Sequence, residues 1–151
     1  MGAARRGAPA GSSSSSARAL ARKLAMQAIY RLQINEGPWQ DLIAEFATEE
    51  GMDRADTEYF RDLVKGICTS RPALDSELSA WIDRPAEQLD PIEHAILLIG
   101  TYELKERPEV PYRVVINEGV SLAKRFGATD GHKFVNAVLD RAARTLRPHE
   151  H

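Results

Sequence analysis

The chain has 151 residues, 43% hydrophobic and 28% charged, which suits one soluble globular domain, two at most, long enough to bury a core. No apolar run reaches the roughly 18 residues of a membrane span, "AILLIG" at 95–100 being far too short. The N-terminus has no apolar signal segment, so a cytoplasmic protein is expected, and the single cysteine, Cys68, excludes an internal disulfide and reads as a buried core thiol.

In chain order, residues 1–16, "MGAARRGAPAGSSSSS", are small and polar and read as a disordered tail. A helix then starts, with Ser16 as its expected N-cap. Ala17, Leu20, Ala21, Leu24, Ala25, Ala28 and Leu32 fall on one arc, whereas Arg18, Arg22, Lys23, Met26 and Tyr30 fall on the other side at about 100° per residue. Arg31 breaks the pattern by turning toward the apolar arc. A second helix follows Pro38 and stops at Gly51. A third turns Tyr59, Phe60, Leu63, Val64 and Ile67 inward, and Pro72 is expected to restart the chain as a short helix with Leu74, Leu78 and Trp81 or Ile82 inward. Asp90–Pro91 is a cap and first-turn pair for "PIEHAILLIGTYELKER", apolar nearly all round and so expected in the middle of a bundle. Two more helices span 111–144, hinged at "FGATDGHKF". There Gly127 is expected as a left-handed C-cap and Asp130 as the next cap. Val135, Val138, Leu139, Ala142 and Leu146 form a core face, Phe134 faces inward or partly so, and Lys133, Ala137, Asp140 and Arg144 share another face. No period-two alternation or internal repeat is convincing. The expected class is all-α, a compact bundle of about seven helices.

Charge is unevenly spread. Residues 1–35 carry six Lys/Arg and no acid, residues 36–110 seven bases against eighteen acids, and residues 111–151 seven bases against four acids. Basic ends attract polyanions and an acidic middle attracts basic partners, although a plainly solvated surface has the same composition. There is no Gly-rich phosphate loop, no GxSxG, HExxH or CxxC, and no carboxylate pair set for acid–base work; His94 at a helix start reads as a surface group. No enzyme, metal or cofactor is expected. Arg18, Arg22 and Lys23 with Tyr30 suit phosphate contact plus stacking of an unpaired base, or else a solvated amphipathic face. Lys124 and Arg125 suit a helix C-terminus. Glu87, Asp90 and Glu93 near Trp81 stabilise a helix N-terminus or form a docking face for a basic protein.

"ARKLAMQAIYRLQ" at 21–33, "YFRDLVKGI" at 59–67, "EHAILLIGTYEL" at 93–104, "VPYRVVINEGVSLAKRFGATDGHKFVNAVLD" at 110–140 and the closing "RP" resemble the NusB family of bacterial transcription antitermination factors, over residues 17 to 148. The resemblance implies an all-helical, non-catalytic protein of two small subdomains. It would bind single-stranded boxA RNA together with the ribosomal protein NusE and, through other Nus factors, act on RNA polymerase to support processive transcription of ribosomal RNA operons. It also implies that Arg18, Arg22, Lys23, Tyr30, Asp130, Lys133 and Phe134 serve RNA, and that Trp81 and Glu93 face the protein partner, to which the acidic pattern adds Glu87. Ala19 and Leu20 stand where some members carry further arginines, which implies weaker RNA affinity or compensation by Arg5 and Arg6. The two basic zones are expected to meet as one groove. Rival readings are an RNA-binding module serving a ribosomal RNA methyltransferase, a protein adaptor with incidental RNA contact, and a homodimer that hides the RNA surface.

Overall fold

The computed structural model describes residues 14–150, and among them six α-helices and no strand occur: α1 (Ser15–Ile34), α2 (Trp39–Phe46), α3 (Thr57–Leu78), α4 (Pro91–Glu106), α5 (Tyr112–Phe126) and α6 (Gly131–Leu146). The all-α expectation holds, with one helix fewer. Pro72 lies inside α3 instead of restarting the chain. An interior proline costs roughly 3 kcal/mol, but Ile67, Leu74 and Leu78 on either side of it are fully buried, each worth roughly 1.5–3 kcal/mol. The burial outweighs the lost hydrogen bond. The first helix begins earlier than expected: Ser14 is the cap, its Oγ accepting from the Ala17 N–H at 3.0 Å. The proposed tail, with Arg5 and Arg6, lies mostly outside the described residues.

Helix α4 is the axle. Residues 93–104 are all buried, and α1, α3, α5 and α6 each pack on it. Asp90 caps it as expected, with Oδ2 accepting from the Glu93 N–H at 3.1 Å. Helix α1 runs antiparallel to it, because Arg22 meets Glu103 near the C-terminal end of α4 while the Gln33 side chain donates to the Pro91 carbonyl at its start. Close approach of α3 to α4 depends on Gly66, where an added Cβ would lie 2.3 Å from the Tyr102 ring. At the far end of α4 one side chain gathers carbonyls of the last turn, some of which a helix terminus leaves short of donors, together with carbonyls of the loop beyond it. Arg147 donates to the carbonyls of Glu103, Leu104, Arg107 and Val110 at 2.7–3.1 Å.

Several side chains differ from the one-stripe reading of α1. Arg22 and Met26, expected outward, are 3% and 1% exposed, because α1 is covered by α3 on one side and α4 on another. Arg31, expected inward, is exposed and pairs with Glu45 of α2. His94 is buried, with Nε2 2.6 Å from Asp75 Oδ1. Cys68 is only half-buried, and burial pushes its thiol pKa up, which keeps it unreactive.

Candidate nucleic-acid interface

The basic zone of α1 divides in two. Arg22 is sealed: its Nε donates to both Glu103 oxygens at 2.9 and 3.1 Å, and Glu118 of α5 lies 3.6 Å from its Nη1. Tyr59 donates its hydroxyl to the same Glu103 carboxylate. Burial works against the Arg22 charge, but Glu103 beside it prevails and the guanidinium pKa is raised. Burial and the same carboxylate push the Tyr59 phenol far above its ordinary value. Arg18 is half-buried, lying 4.2 Å from the Tyr59 ring centroid and 3.5 Å from Asp56. Lys23 and Tyr30, seven residues apart, share the open flank of α1: Lys23 is half-exposed and Tyr30 is 37% exposed.

The hinge between α5 and α6 is built from α4. Glu93 is 7% exposed and its Oε2 accepts from the Ala128 N–H at 3.1 Å. Gly131 packs so closely that an added Cβ would fall 2.1 Å from that oxygen. Asp130, expected to cap α6 with its side chain, makes no such bond and instead adopts the left-handed conformation at φ 63°. Gly127, expected left-handed, is extended at φ −85°. The buried Glu93 carboxylate thus holds the loop ahead of α6 through Ala128, α6 itself has no side-chain cap, and Asp130 lies outward, 3.5 Å from Lys133. Both are well exposed, as is Arg144, which pairs with Asp140 at 3.1 Å. Exposed pairs of this kind are worth about 0–1 kcal/mol, so a phosphate can displace the carboxylate.

Arg22 and Lys133 do not come together. Glu103, which holds Arg22, is ten residues of α4 from Glu93, which holds the hinge; at about 1.5 Å per residue this is roughly 15 Å. Tyr30 is one turn before Gln33 and therefore level with the hinge. Tyr30, Asp130 and Lys133 share one end of the bundle, with Lys23 about two turns up the α1 flank. Trp81 and Glu93, expected to face a protein, are both buried; only Glu87 is exposed. Glu87 lies instead on a groove of about 960 Å³ between the C-terminal end of α1, α2, α3 and the start of α4, lined also by Ile34, Glu36, Trp39, Asp75 and His94. Sequence reasoning missed Arg84 and Arg141. Arg84 lies 4.9 Å from the Phe134 ring centroid and Arg141 donates to the Trp81 carbonyl at 2.8 Å. Fifty or more residues separate these partners, so no local signal marks them.

Fold and site define a small helical scaffold whose inner charges hold the helices together and whose outer cations are open to water. Residues 19–144 match the model of the NusB family. A transcription antitermination protein NusB of Marinobacter nauticus is 50% identical over 127 residues, covering 84% of this chain and 80% of the relative. One of Xylella fastidiosa is 51% identical over 130 residues, covering 86% and 83%. Among solved structures, NusB of T. maritima superposes with a TM-score of 0.75 at 28% identity, covering 84% of this chain and 90% of that one. A chain from a complex of antitermination factors NusB and NusE with dsRNA gives 0.77 at 25% identity, covering 87% and 99%. The chain belongs to the NusB family.

Proposed function

We propose that this chain is a transcription antitermination protein that acts by binding, without catalysis. It holds single-stranded boxA-type RNA on one face and a NusE-type ribosomal protein on another, promoting processive transcription of ribosomal RNA operons in the cytoplasm. The observation that carries this reading is the match over residues 19–144 together with half-identical relatives named for antitermination. The solved complex of NusB and NusE contains double-stranded RNA. The single-stranded preference rests here on Tyr30 and Phe134, since sequence-specific readers stack splayed bases on aromatic rings. Among the described residues no helix is long and apolar enough to cross a membrane.

Lys23, Tyr30, Asp130, Lys133 and Phe134 are the RNA residues of this reading, with Arg18 at the margin and Arg22 a structural strut. For the protein partner, the groove rimmed by Glu36 and Glu87 offers apolar area from Ile34 and Trp39 and two carboxylates for a basic surface, Asp75 being engaged by His94 and Arg71. If both partners also touch each other, each raises the affinity of the other by the same factor. Titration of a boxA RNA against the protein, alone and with NusE, tests the reading. Binding should fall with salt at a slope reporting several phosphate contacts and weaken when boxA bases are changed. Equal affinity for scrambled RNA would favour an adaptor role instead.

A further inference from the structure

The cleft between the α3–α4 connector and α6 lies next to Lys133 but belongs to none of the residues assigned above except Phe134 and Trp81. It encloses about 290 Å³ and is lined by Ala80, Trp81, Ile82, Asp83, Phe134, Ala137 and Arg141. Small-molecule clefts span roughly 300–1,000 Å³, so this one suits a single flat ring system and no folded segment. Its polar groups keep hydrogen-bonding capacity to spare, and Arg84 flanks it over Phe134. Arg84 is bonded only to its neighbour Asp83, at 2.8 Å on the open surface. Arg141 uses one of its N–H groups on the Trp81 carbonyl and has others to give.

We propose that this cleft is a slot for one unpaired nucleobase of the bound RNA, with the Phe134 ring as its inner face and the Arg84 guanidinium as its outer one. The inference rests on the RNA-binding reading and deepens it. In the free protein Arg84 covers Phe134, 4.9 Å from the ring centroid. A base entering the cleft takes that place against the ring, and the guanidinium restacks on the outer side of the base. Breaking an exposed pair between neighbouring residues costs little, and both phenyl and guanidinium planes stack bases. The Asp83 carboxylate is only an acceptor, so it favours a base with an amino group, cytosine, adenine or guanine, over uracil. Lys133, one residue before Phe134 in α6, grips the adjoining phosphate. Continuity with that cation favours RNA over a partner's side chain as the occupant.

The test uses the full chain and boxA RNA oligonucleotides in which one position at a time is made abasic. Arg84→Ala should weaken binding of the intact RNA roughly tenfold, within the range expected for one lost base stack, and should have no further effect on the one abasic RNA whose base fills the slot. Arg84→Lys keeps the charge, loses the plane, and should behave like Arg84→Ala. Phe134→Leu should match the same abasic position, with circular dichroism confirming its fold. If Arg84→Ala weakens every abasic RNA equally, or Arg84→Lys restores binding, Arg84 is a phosphate contact and the slot is wrong. If Arg84→Ala lowers NusE affinity and leaves RNA affinity unchanged, the slot is likewise wrong and its occupant is protein. In each of these cases a loss of affinity in Lys133→Ala leaves the wider RNA reading standing; a parent chain that binds no boxA RNA with or without NusE overturns both.

Discussion

The two ends of α4 use the same kinds of residue for opposite purposes. At the C-terminal end Arg22, Glu103 and Tyr59 are buried together, with the guanidinium of Arg107 4.7 Å from the Tyr59 ring centroid. At the N-terminal end one carboxylate, Glu93, is buried, and it holds a hinge whose outer charges Asp130 and Lys133 are open to water. A buried ion pair is costly to break and hard to exchange, whereas an exposed one exchanges readily. An arginine in the first helix is therefore evidence of RNA contact only after its burial is known.

Breaking the inner end should have the largest effect. Arg22→Ala leaves Glu103 charged and unpaired in the core, a change that costs roughly 3–5 kcal/mol. Urea unfolding should show it as a large fall in midpoint, and the double variant Arg22→Met, Glu103→Leu should recover much of the loss. An unchanged midpoint in Arg22→Ala would mean that the two ends do not differ as described.

Gly131→Ala attacks the outer end from within. The new methyl would have to displace the Glu93 carboxylate, 2.1 Å away, and losing the bond to Ala128 costs roughly 1–3 kcal/mol. RNA affinity should fall along with stability, because Asp130 and Lys133 move with the hinge. A normal RNA affinity in a destabilised Gly131→Ala would uncouple the hinge geometry from binding.

Alkaline pH probes the inner side more gently. Tyr102 donates to Asp62 at 3.0 Å, and burial, followed by the Asp62 charge, pushes its phenol up to about 12 from an ordinary 10. A pKa raised in the fold contributes stability that is whole below pH 10 and is lost as pH climbs toward 12. Unfolding midpoints should drop between those values, and Tyr102→Phe should flatten the drop.

The smallest effect on stability belongs to Lys133→Ala, within about 0.5 kcal/mol for an exposed pair. Its effect on RNA should be clear, with the salt slope reduced by about one. A stability loss as large as that of Arg22→Ala would erase the distinction between the two ends.

The bundle was legible where periodicity and caps agree. The all-round apolar run at 92–102 gives the central helix, and Asp90–Pro91 gives its start. Local propensity splits α3 at Pro72 because it carries no account of the apolar contacts on both sides. A single period gives α1 one buried stripe and puts Arg22 and Met26 outward, because it does not reveal two covering neighbours. For the candidate site, the hinge and its exposed Lys133 were legible, but Glu93 as its support was not. A carboxylate near a helix start looks the same whether it faces solvent or a loop 35 residues away. Arg84 and Arg141 became visible only when the chain folded back over Phe134 and Trp81.

Arg147 closes the last turn of a helix that ends about forty positions earlier. A ribosome makes the axle of this molecule long before it makes the side chain that finishes it. Truncation just ahead of residue 147 would leave all six helices encoded yet strip four backbone oxygens of their shared donor. Assembly of the bundle is therefore completed late in synthesis, by a group far along the chain from the structure it seals.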